Sequence, residues 1–389
     1  MILGIDASNI RTGGGVTHLV NLLRGADPLA HGYSQVIVWS GQATLGLIED
    51  RPWLLKSRQP LLDKSLPSRI FWQRFRLDSL ARQAGCNVLF VPGGSYTGDF
   101  YPMVTMSQNL LPFEWRELWR YGCSYTSLRL MLLRLTQSRT FRQADGLIFL
   151  TRYACDIVMR EIKTTAGKTT IIPHGIDERF ICPPREQLSI DRYSIDRPFR
   201  ILYVSIIDVY KHQWHVAEAV AQLRASGLPV VLDLAGPAYP PAFARLKKTI
   251  DKIDPSREFI RYAGNVPHTE LHTYYAEANL FLFASSCETF GQILTEAMSA
   301  GLPIACSNRG PMPEVLGDGG MYFDPENHDD IARALRELID SPDLRAKLAK
   351  SSFGRAQTFS WQRCTSETFR FLAEVTRSKP TSILATAQN

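Results

Sequence analysis

Two glutamates, Glu288 and Glu296, bracket a glycine in residues 285–301, SSCETFGQILTEAMSAG. The apolar run just before them, 278–284, reads as a buried strand. A carboxylate near a core is costly unless something pairs with it. A helix is predicted to start at Gly291 or Gln292, with Gly301 placed to end it. Ile293, Leu294, Ala297 and Met298 mark the buried face of that helix. The first amides of such a helix, from Thr289 through Phe290 to Gln292, have no helical acceptors, so they suit an anion. Gly291 lets a phosphate approach the backbone closely. Glu296 is then placed to accept hydrogen bonds from ribose hydroxyls, and Glu288 from hydroxyls of a group beyond the phosphates.

Other residues fit the same chemistry. Gly13, Gly14 and Gly15 precede a helical pattern directly after the first apolar run, again offering amides and room for a phosphate or sugar. Their spacing is not G-x-G-x-x-G, and no acid ends the second strand, which disfavours a dinucleotide site. Lys211, just ahead of a helix, supplies a point charge for a diphosphate. The histidines at 212 and 215, and at 268 and 272, have metal-like spacing, but no Cys or acid completes a recognisable set. Asp-x-Asp is absent from the sequence as well. No metal is expected.

These residues need strand ends to hold them. Apolar runs at 1–8, 34–40, 87–93, 102–109, 146–151 and 168–177 alternate with helical patterns. After a Pro- and charge-rich stretch at 181–198 the rhythm restarts, with runs at 199–206, 228–236, 258–266, 279–286, 302–308 and 319–324. Near-continuous apolar strands separated by helices predict parallel sheets covered on both faces. The predicted fold class is α/β, with two Rossmann-like doubly wound domains and a cleft between them. The first spans 1–180, the linker 181–198 and the second domain 199–358. An amphipathic helix at 359–377 is expected to cross back to the first domain, ahead of a disordered polar tail at 378–389.

The bulk composition agrees. A chain of 389 residues suggests two domains, and 45% hydrophobic with 21% charged residues is typical of a globular protein. No apolar run approaches the roughly 18 residues of a membrane span. The N-terminus reads directly as a strand, and seven scattered cysteines suit reduced thiols in the cytoplasm. The net charge of +6 is uneven: residues 1–180 hold 21 Lys/Arg against 14 Asp/Glu. The excess lies at 64–83, with Phe71, Trp72 and Phe75, and at 127–143, a Leu-rich helical pattern. Such stretches suit an anionic membrane surface or a phosphate-bearing acceptor. Neither resembles a nucleic-acid reading motif.

The second half resembles the retaining glycosyltransferases of family 4, of GT-B fold and bacterial polysaccharide-biosynthesis type. The resemblance rests on the lysine after the domain's first strand, residues 262–286, the E-x7-E pair Glu288 and Glu296, residues 297–327 and the FSW at 359–361. It extends more loosely to 5–23 and 171–177. It implies that Glu288 and Lys211 act at the reaction centre, and that Lys211 and the amides near Gly291 and Gln292 hold the diphosphate. Glu296 would take the ribose, the segment 264–267 with Val266 would border the base, and Gly13 to Gly15 would lie against the donor.

Three positions depart from the family. Ser205-Ile206 stands where Gly-Arg is usual, His174 replaces an Asn, and Gln108 and Asn109 occupy the place of a reaction-centre histidine, as acceptor-side candidates. The resulting expectation is a hexosyltransferase-like enzyme needing no cofactor. It would move a sugar from a nucleotide-diphosphate sugar to a glycan or lipid-linked glycan in O-antigen or other surface polysaccharide synthesis, at the cytoplasmic face of the inner membrane. A nucleotide-sugar epimerase of the same fold and a non-catalytic nucleotide- or glycan-binding protein are the alternatives.

Overall fold

The apolar runs of the sequence become parallel strands, and the computed structural model, which describes residues 1–163 and 167–378, arranges them in two sheets. Unit 1 comprises Met1–Leu118, Cys123–Gly175 and the chain from Trp361; unit 2 comprises Trp119–Gly122 and Ile176–Ser360.

Unit 1 holds β1 (Ile2–Asp6), β2 (Gln35–Ser40), β3 (Leu54–Arg58), β4 (Val88–Val91), β5 (Met103–Met106), β6 (Gly146–Phe149) and β7 (Lys168–Ile171), in the order β3-β2-β1-β4-β5-β6-β7. Every residue of β4, β5 and β6 is buried, as expected of strands covered on both faces. The strand absent from the sequence reading is β3. It lies at the sheet edge, and its LLKSR sequence is largely open to solvent, so it carries no apolar run to betray it.

The basic stretch 64–83 folds as the helix Leu66–Trp72, a π turn at Gln73–Leu77 and the helix Asp78–Gln83. Phe71 and Phe75 face solvent, whereas Trp72 is buried in the core beside Trp39, Leu89 and Met103. Trp72 therefore belongs to the packing of unit 1 and not to its surface. The tail expected at 378–389 lies, from residue 379 on, outside the described residues.

Unit 2 holds β8 (Phe199–Val204), β9 (Val230–Ala235), β10 (Ile260–Tyr262), β11 (Leu280–Phe283), β12 (Ile304–Ser307) and β13 (Met321–Phe323), in the order β10-β9-β8-β11-β12-β13. The stretch 181–198, linker-like in composition, is bound along this unit. The Cys182 amide donates to the Ser299 carbonyl at 2.9 Å, and buried Arg345 donates to Gln187 Oε1 at 3.1 Å.

The last helix, Trp361–Ser378, completes unit 1. Gly146 in β6 makes room for it: a Cβ there would lie 2.9 Å from atoms of both Phe371 and Val375. At its start Trp361 packs against His18 of the helix Gly14–Arg24 and His174 of the loop after β7, with ring centroids 5.8 and 5.7 Å away. The two histidines share a hydrogen bond between their Nδ1 atoms, 3.0 Å apart. Burial lowers the pKa of His18 to about 4; burial and the neighbouring His18 lower that of His174 well below the usual value.

This pair makes unit 1 acid-sensitive. The unfolded chain binds protons at these imidazoles below about pH 6.5, whereas the folded chain does not until about pH 4 at His18. Stability therefore falls as pH drops through that window, by roughly 3 kcal/mol from His18 alone. Urea denaturation between pH 7 and pH 4 should show a shallower loss for His18→Gln than for the wild type; parallel curves would contradict the buried neutral pair.

Candidate active site

The order of the second sheet reverses between β8 and β11, which are neighbours although the chain leaves β8 toward β9 on the other side. Loops leaving two such strands splay apart and open a crevice at their carboxyl ends. Lys211 lies in the loop after β8, and Glu288 in the loop after β11.

Several contacts join these loops. The Ser286 amide donates to the Tyr210 carbonyl at 2.9 Å, and His212 Nε2 lies 2.9 Å from Ser286 Oγ. The Tyr203 hydroxyl donates to the Lys211 carbonyl at 2.7 Å. The Lys211 ammonium donates to the Glu288 carboxylate, with side-chain exposures of 7% and 19%. Its Nζ also stands 4.9 Å from the Tyr210 ring centre and 5.2 Å from that of Phe283, a cation–π setting. His212 adopts a left-handed conformation, φ 54°, at the start of the helix Gln213–Ala225. Burial first, then the Arg120 charge, lowers its pKa to about 3, so it is neutral at pH 7. Burial and the nearby Glu288 raise the pKa of Tyr203 and Tyr210, which therefore stay protonated.

Gly291, at φ 86°, precedes the helix Gln292–Ser299, as the sequence predicts. Leu294, Ala297 and Met298 are buried as expected, while Ile293 is only half-buried. Glu296 is buried at 1% exposure and is not left unpaired. His268 Nε2 lies 2.9 Å from its Oε1, and the Tyr275 hydroxyl donates to its Oε2 at 3.2 Å. Burial and Glu296 raise the Tyr275 pKa, which keeps the phenol a donor. Phe180 packs on both partners, at 5.2 Å from the His268 ring and 5.6 Å from that of Tyr275.

Val266 sits half-buried in the segment after β10 that leads to His268. His272 is exposed. The sequence analysis weighs His268 only as a metal ligand and assigns Tyr275 no role. Their only signal was a polar tip on a residue otherwise placed to pack.

The remaining candidates belong to unit 1. Gly13, at φ 68°, begins the helix Gly14–Arg24 without a side-chain cap, and a Cβ on Gly13 or Gly14 would meet nothing within 4 Å. A Cβ on Gly15 would lie 3.5 Å from Gln108 Oε1, so the loops after β1 and β5 meet there. Asn109 Oδ1 accepts from the Leu111 amide at 3.1 Å and is turned into its own loop. Within unit 2 the structure brings Lys211 to Glu288, and Glu296 to His268.

Residues 186–355, which carry all the acidic and basic members of this site, match the family described as "Glycosyl transferases group 1". The match lies wholly within unit 2 and marks a likeness of that stretch to group 1 glycosyltransferases. It is 38% identical over 110 residues to O-antigen chain mannosyltransferase B of Escherichia coli, a match covering 28% of this chain and 29% of that protein. The chain spans about 29 to 54% of the length of the first curated relatives it matches.

Similarity of fold reaches further. Sucrose-phosphate synthase from Thermosynechococcus elongatus superposes with a TM-score of 0.75 at 18% identity, over 97% of this chain and all of that one. Anabaena Alr3699/HepE in complex with UDP and glucose gives 0.68 at 17% identity, with 97% and 100% covered. The two Rossmann-like units are those of the GT-B fold, and the stretch that matches group 1 lies in the second.

The ion pair inside that stretch has a measurable signature. Lys211→Met leaves the Glu288 carboxylate without its counter-charge and should destabilise the protein by about 3 kcal/mol. Adding Glu288→Gln should recover much of that loss. Denaturation of the two single variants and the double variant closes the cycle, and additive losses would show that the pair is not coupled.

Proposed function

We propose that the protein is a retaining glycosyltransferase. It moves a sugar from a nucleotide-diphosphate sugar to a hydroxyl of a glycan or lipid-linked glycan in surface polysaccharide synthesis. The observation that carries this reading is the Lys211–Glu288 pair, held at a sheet switch point beside the glycine-initiated helix Gln292–Ser299.

A diphosphate entering there would meet Lys211 and the amides from Thr289 through Phe290 and Gly291 to Gln292, all at the carboxyl ends of β8 and β11. Glu288 would then accept hydrogen bonds from the donor sugar. Glu296, already oriented by His268 and Tyr275, would take the ribose hydroxyls, and Val266 would border the base.

Retention follows from a same-face course. The bond from the anomeric carbon to the phosphate oxygen breaks, and the bond to the acceptor oxygen forms on the side the phosphate leaves. The acceptor's proton passes to the departing phosphate oxygen. Lys211 and the amides stabilise the charge that develops on the diphosphate, so the step calls for no metal ion. The group 1 match and the O-antigen mannosyltransferase relative support this chemistry and its setting. The UDP and glucose bound by the Anabaena protein of like fold support a nucleotide donor.

The acceptor class draws on unit 1. Phe71, Phe75, Leu128, Leu132 and Leu135 are exposed there among arginines that include Arg74, Arg76, Arg129 and Arg139. Apolar side chains within a basic surface suit the face of an anionic membrane, where a lipid-linked acceptor resides. No helix among the described residues is long and apolar enough to cross a membrane.

Titration of the EDTA-treated protein with UDP, GDP, ADP and dTDP should show clear preference for one diphosphate. Glu288→Ala should keep that affinity while sugar transfer falls roughly a hundredfold or more. Glu296→Ala, by removing charge-assisted hydrogen bonds, should weaken nucleotide binding about tenfold or more. Transfer that survives Glu288→Ala would overturn the assignment, and unchanged nucleotide affinity in Glu296→Ala would remove its ribose role.

A further inference from the structure

We infer that His215, Glu218 and His328 form a binding site for a divalent transition-metal ion of the zinc, nickel or copper class, on the surface of unit 2. The sequence places an acid near His215, and the fold supplies the second histidine. Glu218 follows three residues after His215 on the helix Gln213–Ala225, hence on the same face. His328 opens the helix His328–Asp340, which packs against it.

The donor atoms of all three lie within 4.8 Å of one another. His215 Nδ1 is 3.3 Å from Glu218 Oε2, and His328 Nδ1 is 4.0 Å from the same oxygen. Donors bound tetrahedrally to one ion at about 2.1 Å each stand roughly 3.4 Å apart. His215 and Glu218 already have that spacing. The side chain of His328, 41% exposed, closes the remainder by a small rotation.

An ordinary ion pair would need one imidazole on the carboxylate. Here two imidazoles address a single oxygen, and the outer surroundings are built as well. The other ring nitrogen of His328, Nε2, faces Asp329 Oδ1 at 3.5 Å, and that oxygen accepts from Gln222 Nε2 at 2.8 Å. A carboxylate behind a ligating histidine fixes its orientation and raises its basicity. Asn327 fixes the turn by accepting from the Asp329 and Asp330 amides.

An open groove of about 660 Å³, lined by Glu218, Gln222, Lys248, Lys252 and His328 among others, gives an ion access. Arg245, also on that groove, is with Lys248 and Lys252 an opposing charge, and its guanidinium is held 3.9 Å over the Trp214 ring. Two imidazoles with one carboxylate favour zinc, nickel or copper over magnesium or calcium, which prefer all-oxygen sets. Bound there, the ion joins the helix that follows Lys211 to the His328–Asp340 helix. The inference stands independently of the transfer reaction.

The test uses the full chain without a polyhistidine tag, stripped with EDTA and titrated calorimetrically with Zn²⁺. Thermal melting with and without zinc is followed in parallel. The expected result is saturable binding of one ion per chain with a rise in melting temperature. His328→Gln and Glu218→Gln should each weaken binding about tenfold or more, and Asp329→Asn should also weaken it, by about tenfold. The metal-free melting of these surface variants should stay that of the wild type, which separates lost ligation from lost folding. Absence of saturable one-to-one binding would overturn the site. So would binding that persists in the His215→Gln/His328→Gln double variant, because the ion would then be held elsewhere.

Discussion

An ammonium and a carboxylate can leave water together only if they meet, and Lys211 and Glu288 meet because of the sheet. They are 77 positions apart in the chain, on loops that leave two adjacent strands. The hydrogen bonds of Ser286 with Tyr210 and His212 set those loops in register, and the ring of Phe283 closes the space beneath the lysine. Removing either charge leaves the other stranded at a site that water reaches poorly. The pair therefore acts as a check on the fold of unit 2, since any slippage of β8 against β11 would separate it.

Much of this was legible in the sequence because its physics is local. Parallel strands buried on both faces appear as apolar runs, and Gly291 announces the start of the helix Gln292–Ser299 on its own. The glutamates and Lys211 stand just after strands, where α/β sheets place their ligands. What escaped was whatever depends on contacts distant in the chain. His268 and Tyr275 bind Glu296 across the unit, and nothing in the residues around them indicates it. Trp72 looked like a surface aromatic among arginines, but the π turn that follows its helix belongs to a segment packed into the core of unit 1. The edge strand β3 failed for the opposite reason: it is half-solvated and carries no apolar signal.

The comparisons divide along the same physical line. The family match covers 186–355, where a charged site must be built from particular residues in a particular order. Solved structures of like fold cover 97% of the chain at only 17 to 18% identity. Packing asks for apolar residues of suitable volume at the right period and leaves their identity open. A site that pairs charges permits much less freedom. The family match accordingly falls within the second unit.

Unit 1 is discontinuous, and this bears on how the protein is made. Its sheet is encoded before residue 175, yet the helix that covers Gly146 and packs Trp361 against the His18–His174 pair begins only at Trp361. On the ribosome, the residues of unit 2 emerge complete before those of unit 1 do. The nascent β1–β7 sheet must hold an apolar face open throughout the translation of unit 2. The half of the protein synthesised first is therefore the half that finishes folding last.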